Sequence, residues 1–138
     1  MAIQVLEKEY SIHVYETGPD GFVRLHSLFN FMQDIASEHA VILGYGRDDL
    51  LRENHFWVLS RMYAVFSSRP SWSDTIVAKT WPAGVDKLFA MRNYDLADKN
   101  GVNVAYASSA WLIIDRDTKK IQRPDEFLRR YDRENQMI

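Results

Sequence analysis

Hydrophobic positions between Leu28 and Leu43 (LFNFMQDIASEHAVIL) recur with the period of an α-helix. At roughly 100° per residue, Phe29, Met32, Ile35, Ala36, Ala40 and Leu43 fall on one face with Leu28, while Asn30, Asp34, Ser37 and Glu38 gather on the other. His39 lands inside the apolar stripe and Gln33 on its border. Gly44 and Gly46 follow, with the left-handed freedom that ends helices. The spacing predicts a single long helix from Leu28 to Leu43, about 24 Å in length at ~1.5 Å per residue.

The rest of the chain carries the shorter period of strands. Ile3 to Tyr15 alternates weakly and reads as a first strand, closed by the turn Gly18-Pro19-Asp20-Gly21. Past a loop through Arg47 to Asn54, the residues Phe56, Val58, Met62, Ala64 and Phe66 occupy alternate positions, the pattern of a second strand with one buried face. Arg69 to Asp74 breaks it, and Thr75 to Trp81 resumes with the β-branched Thr75, Ile76, Val77 and Thr80, until Pro82 and Gly84 punctuate. Lys87 to Ala97 forms a fourth strand, turning through Asp98-Lys99-Asn100-Gly101, where glycine suits a positive φ. Val102 to Asp115 is apolar on both alternating faces, so this fifth strand is expected to be central or to lie at an interface. A turn over Asp115 to Lys120 and a short terminal helix from Pro124 to Tyr131 complete the reading.

One long central helix followed by antiparallel strands places the chain in the α+β class, with a curved sheet of about five to six strands wrapped over the helix. At 138 residues, without internal repeat or linker, it forms one domain over residues 1–138. One helix covers one face of a sheet. The remaining apolar surface is therefore expected to be covered by a second copy, as a homodimer or, by further pairing, a homotetramer.

Composition narrows the chemistry. With no cysteine there is no disulfide framework, thiolate zinc site or cysteine nucleophile. Glu7, Lys8 and Glu9 interrupt any hydrophobic signal core, and a cytoplasmic protein is expected. The longest run free of charge, Asn100 to Ile114, is too short for a membrane helix, so no membrane span is expected. A net charge of −2 argues against nucleic acid as a partner. The basic residues near the C-terminus (Lys119, Lys120, Arg123, Arg129, Arg130, Arg133) are diluted by Asp125, Glu126, Asp132 and Glu134, as on a solvated face. His13, His26, His39 and His55 lack metal-ligand spacing, and neither a serine elbow nor a glycine-rich phosphate loop is present, so no metal or cofactor is expected.

Several segments, in one order, resemble the acyl-carrier-protein thioesterases of the hot-dog fold. They are Gly18-Pro19-Asp20-Gly21, Leu28 to Asp34 with Glu38-His39-Ala40, Trp57 to Arg61, Thr80 to Arg92, Ser109 to Asp115, and Arg123-Pro124. The resemblance covers nearly the whole chain. It implies hydrolysis of a fatty acyl thioester, on acyl carrier protein or coenzyme A, at a site shared across a dimer. Plant members of this family join two hot-dog units and carry a catalytic Asp-x-Asn-x-His run in the second, whereas this chain resembles the first and has no such run. It is therefore expected either to build a site from other residues or to bind an acyl thioester without chemistry.

Thioester hydrolysis needs a carboxylate or activated water and hydrogen-bond donors aimed at the developing oxyanion. Other hot-dog thioesterases place an acid on the central helix, and overlaying that helix puts Asp34 at the acid position, with Gln33 beside it to orient water or the thioester carbonyl. The plainer reading of Asp34 is a solvent-facing helix acid. His39 on an apolar stripe needs a hydrogen-bond partner and is an acid–base candidate, or else a satisfied core histidine. Asn54 and His55, ahead of the second strand, are candidate substrate contacts reaching across a dimer, against a plainer role in a turn. Trp57, with Trp81, Phe89 and Trp111, is core by its strand position, or lining of an acyl tunnel.

Overall fold

A computed structural model describes residues 4–124. The chain forms strand β1 (Leu6–Ser11), a single 3-10 turn (Val14–Glu16), helix α1 (Leu25–Leu43), helix α2 (Arg47–Arg52), and strands β2 (His55–Phe66), β3 (Thr75–Asp86), β4 (Phe89–Asp98), β5 (Asn103–Asp115) and β6 (Ile121–Gln122). All strand pairs are antiparallel and make one sheet in the order β1-β3-β4-β5-β2, with β6 on β5. This is the α+β arrangement of one long helix on an antiparallel sheet. The expected terminal helix beyond Pro124 lies outside the described residues.

α1 begins three residues ahead of the apolar pattern, because Leu25 and His26 in its first turn are exposed and leave no hydrophobic signal. Its buried stripe is Leu28, Phe31, Met32, Ile35, Ala36, His39 and Leu43, and Gly44 ends it at a φ of 90°. Phe31 stacks on Tyr10 of β1 at 4.7 Å, and Phe29 meets Phe66 of β2 edge-on at 6.0 Å, so the helix is held at both edges of the sheet. Between them the main core joins Leu28, Met32 and Ile35 to Ile76, Ala78, Tyr94 and Leu96.

Four expectations change. The first strand stops at Ser11, and Val14 to Glu16 turns instead, with the backbone N–H of His13 donating to Glu16 at 2.9 Å. The segment Arg47 to Asn54 is a helix over its first six residues rather than a loop. Its polar sequence buries only Leu50, so no periodicity shows.

The second strand does not keep one parity throughout. A bulge between Leu59 and Arg61 inserts Ser60, so Trp57 and Leu59 pair with Ile113 and Trp111 on the same face as Met62, Ala64 and Phe66. Phe56 and Val58 consequently sit on the opposite face, paired with Ile114 and Leu112. The third strand likewise runs past Pro82 through a second bulge to Asp86, with Gly84 at a φ of 88°.

Candidate functional site

The tight link from α1 to α2 sets the shape of the site. A Cβ on Gly46 would stand 2.5 Å from Cγ2 and 2.9 Å from Cα of Val41, so only glycine lets α2 fold back this closely. The backbone N–H of Gly46 donates to Asp49 at 2.9 Å, which starts α2. Leu50 then packs with Leu43, Tyr45, Ala90 and Ile113, against Trp57 and Trp111. Trp57 donates its indole N–H to the Tyr45 carbonyl at 2.8 Å and meets Trp111 edge-on at 6.4 Å.

This second cluster borders a pocket of about 460 Å³ between α1, α2 and the sheet. Its lining is mostly apolar: Ala36, Ala40, Val41, Tyr45, Leu51, Phe56, Trp57, Pro82, Ala90, Met91 and Trp111, with Gln33, Ser37, Arg47 and Arg92 as the polar members. Gln33, Ser37, Val41 and Arg47 are exposed at the rim, whereas Ala36, Tyr45, Ala90 and Arg92 are buried. An apolar-walled pocket with a few placed polar groups suits an aliphatic ligand.

The structure brings some of the sequence candidates to this pocket and keeps others away. Gln33 and Trp57 line it. His39 is fully buried beneath it, and its Nδ1 lies 2.8 Å from Nη1 of Arg92. A guanidinium can only donate, so Nδ1 accepts, which assigns the neutral Nε2–H tautomer to His39. That is a satisfied core histidine.

Asp34 is not among the pocket-lining residues. It accepts a 2.6 Å hydrogen bond from the Tyr10 hydroxyl and lies 3.2 Å from Nζ of Lys8, which also reaches Glu38 at 2.8 Å. The Tyr10 hydroxyl, and after it Lys8, hold the Asp34 carboxyl below its ordinary range despite some opposing desolvation. Lys8 is raised in turn, chiefly by its hydrogen bond to Glu38 and then by that to Asp34. Asn54 adopts a φ of 65° and donates to Asp117 at 2.7 Å, as a turn residue does. His55 pairs across the sheet with Asp115, at 3.7 Å from its carboxylate. Neither Asn54 nor His55 lines the pocket.

Arg92 is the residue that the sequence reading missed. It is 6% exposed, and its Nη1 also donates to Thr80 at 3.2 Å. Below it Ser109 gathers a 2.7 Å bond from the Trp111 indole, lies 2.9 Å from the Tyr94 hydroxyl, and reaches the Arg92 carbonyl at 3.4 Å. Burial raises the Tyr94 hydroxyl above its ordinary value. The available signal was parity, since Arg92 alternates with Ala90, Tyr94 and Leu96 on the inward face of β4.

Among the described residues no group of ligating side chains could hold a metal ion, and no helix is long and apolar enough to cross a membrane.

Comparison with known proteins agrees with this architecture. The chain is 28% identical over 130 residues to a palmitoyl-acyl carrier protein thioesterase of Cuphea hookeriana, covering 88% of this chain and 31% of that protein. It is 25% identical over 130 residues to oleoyl-acyl carrier protein thioesterase 2 of Arabidopsis thaliana, covering 89% and 35%. The crystal structure of an acyl-ACP thioesterase from Bacteroides thetaiotaomicron superposes with a TM-score of 0.82 at 28% identity, over 86% of this chain and 49% of that one. A 12:0-ACP thioesterase from Umbellularia californica shares the fold, with a TM-score of 0.83 at 22% identity over 94% and 50%. The chain thus spans about a third of the length of the plant relatives and about half of the solved thioesterases. A family model for the acyl-ACP thioesterase N-terminal domain matches residues 4–131, and the chain belongs to that family.

Proposed function

We propose that this domain takes the fatty chain of an acyl thioester into the pocket between α1, α2 and the sheet, and acts in hydrolysis of that thioester to the free acid and thiol. The observation that carries this reading is the pocket itself: about 460 Å³, walled by aromatic and aliphatic groups, with Gln33 at its exposed rim. The Gln33 amide can donate to the thioester carbonyl or position water. Asp34, next to it on α1 and ionised at neutral pH, is the proposed base or nucleophile, and His39, held against Arg92, the proposed acid–base or tunnel polar group. Asn54, His55 and Trp57 stand as the proposed substrate-side residues, Trp57 directly as pocket wall. Among the described residues β2 pairs with β5 alone and stands at the end of the strand order, and a second hot-dog unit, in a homodimer or homotetramer, is the proposed neighbour of that edge. Acyl carrier protein is the proposed carrier, and coenzyme A the alternative.

A second reading, acyl binding without turnover, is favoured by one observation. The Asp34 carboxylate is engaged by Tyr10 and Lys8 and lies outside the pocket lining. Thiol release from matched acyl-ACP and acyl-CoA substrates separates the two. Release by the wild-type chain that is lost in Asp34→Ala and Gln33→Ala supports hydrolysis by these residues. Saturable acyl binding with no thiol released assigns the domain a binding role and overturns the catalytic one.

A further inference from the structure

Trp57 and Trp111 wall the pocket, and each has its indole N–H tied inside the protein, Trp57 to the Tyr45 carbonyl at 2.8 Å and Trp111 to Oγ of Ser109 at 2.7 Å. The first acceptor is main chain, so of the two bonds only the second depends on a side chain. Trp111 is partly buried and packs against both core clusters, the main one under α1 and the smaller one around Leu50, which sets it between the pocket and the main core. Ser109, two residues before it on the same inward face of β5, is 1% exposed. Its Oγ lies 2.9 Å from the Tyr94 hydroxyl and 3.4 Å from the Arg92 carbonyl, so the acceptor is itself held from β4. An indole in such a place that loses its acceptor has to turn to find another, or leave its N–H desolvated.

We propose that Ser109 sets the length of acyl chain that the pocket accepts. By holding the Trp111 ring across the boundary between pocket and main core, it fixes the inner wall at which the methyl end of the chain stops. Trp111 is the wall; Ser109, which is not among the pocket-lining residues, acts through it as a positioning residue. This role concerns selectivity and not thioester cleavage. It rests on the pocket being the acyl site and is read by binding, without turnover.

The test is equilibrium binding, by calorimetry, of straight-chain fatty acids of increasing length. Each methylene taken from water into the pocket is expected to tighten binding by about fourfold until the chain reaches Trp111, where the gain stops. In Ser109→Ala the gain should continue, so that a chain two methylenes beyond the wild-type limit binds about tenfold or more tighter than it does to wild type. Trp111→Phe, smaller and without the N–H, should move the limit in the same direction. Ser109→Cys keeps the volume of the side chain but accepts weakly, and serves in place of Ser109→Ala where that variant does not fold. Tyr94→Phe removes a different hydrogen bond to the same Ser109 oxygen and should keep the wild-type limit. An unmoved limit in a folded Ser109→Ala or Ser109→Cys protein overturns the inference. So does a limit that moves as far in Tyr94→Phe, because Ser109 would then act through the core at large and not through Trp111. Wild-type affinity that rises with length and meets no limit overturns it as well. No fatty acid bound at any length overturns the reading of the pocket, and this role with it. A limit that moves as expected, with no thiol released from acyl-ACP, supports this role and overturns only the proposed hydrolysis.

Discussion

Nη1 of Arg92 donates to Nδ1 of His39 across 2.8 Å, joining β4 to α1 at the base of the pocket, and both side chains are buried. Removing the imidazole leaves a buried cation short of an acceptor and opens a void under the helix. His39→Ala is therefore expected to cost about 3 kcal/mol, and His39→Gln, which restores an acceptor, to cost at least about 1 kcal/mol less. Urea unfolding of the three proteins measures both differences.

The surface cluster of Asp34, Tyr10, Lys8 and Glu38 should shape the acid limb of stability. Asp34 has its carboxyl lowered, first by the Tyr10 hydroxyl and then by Lys8. A lowered acid contributes stability above its unfolded pKa, roughly 4, and loses it as pH falls through the lower folded value. Asp34 is 56% exposed, so solvent screening limits the effect. Tyr10→Phe should cost under about 1 kcal/mol at neutral pH, and that cost should shrink below about pH 4. Lys8 and Tyr10 are shifted upward, so their share is full below their unfolded values and fades only as pH rises above about 10. Paired unfolding curves across acid and neutral pH check this.

Ser60 sets the register of β2. Deleting it would bring the strand back to strict alternation, turning Trp57 and Leu59 off the inner face that they share with Met62, Ala64 and Phe66. Loss of two large inward side chains is expected to cost more than about 4 kcal/mol. Ser60→Ala, at an exposed position, should stay within about 0.5 kcal/mol of wild type. Tryptophan fluorescence and thermal unfolding distinguish them.

Gly46→Ala should destabilise by about 1–3 kcal/mol, because the new methyl meets Val41 at sub-contact distances. Val41→Ala in the same chain removes the Cγ2 clash but not the Cα one, so the double variant should recover only part of the loss. A double-mutant cycle on unfolding free energy gives the coupling.

How far the sequence speaks follows from these positions. The α1 stripe was legible because Leu28, Met32, Ile35, Ala36 and Leu43 repeat over several turns and all proved buried. The turn at Asp98 to Gly101 was legible from its residues, and Gly101 does take a φ of 82°. α2 was not, since six residues with one buried leucine give periodicity no room. The bulge at Ser60 was invisible because an inserted residue changes parity without changing composition. His39 stood out as a polar group on an apolar stripe, yet its partner Arg92 lies 53 positions away, and only the fold joins them. Asp34 was placed on the polar side by its angle alone, and there it is held by Lys8 and Tyr10.

The central claim is that the pocket beside α1 holds the acyl chain, and a blocked pocket tests it most directly. Ala40 lines that pocket and is only partly buried, so Ala40→Trp can fill the chamber at little cost to the core. Binding of a long-chain acyl-ACP to the folded variant should weaken by about tenfold or more relative to wild type, with the thermal midpoint shifted by no more than about 4 °C. An unchanged affinity in a folded Ala40→Trp protein would contradict the account.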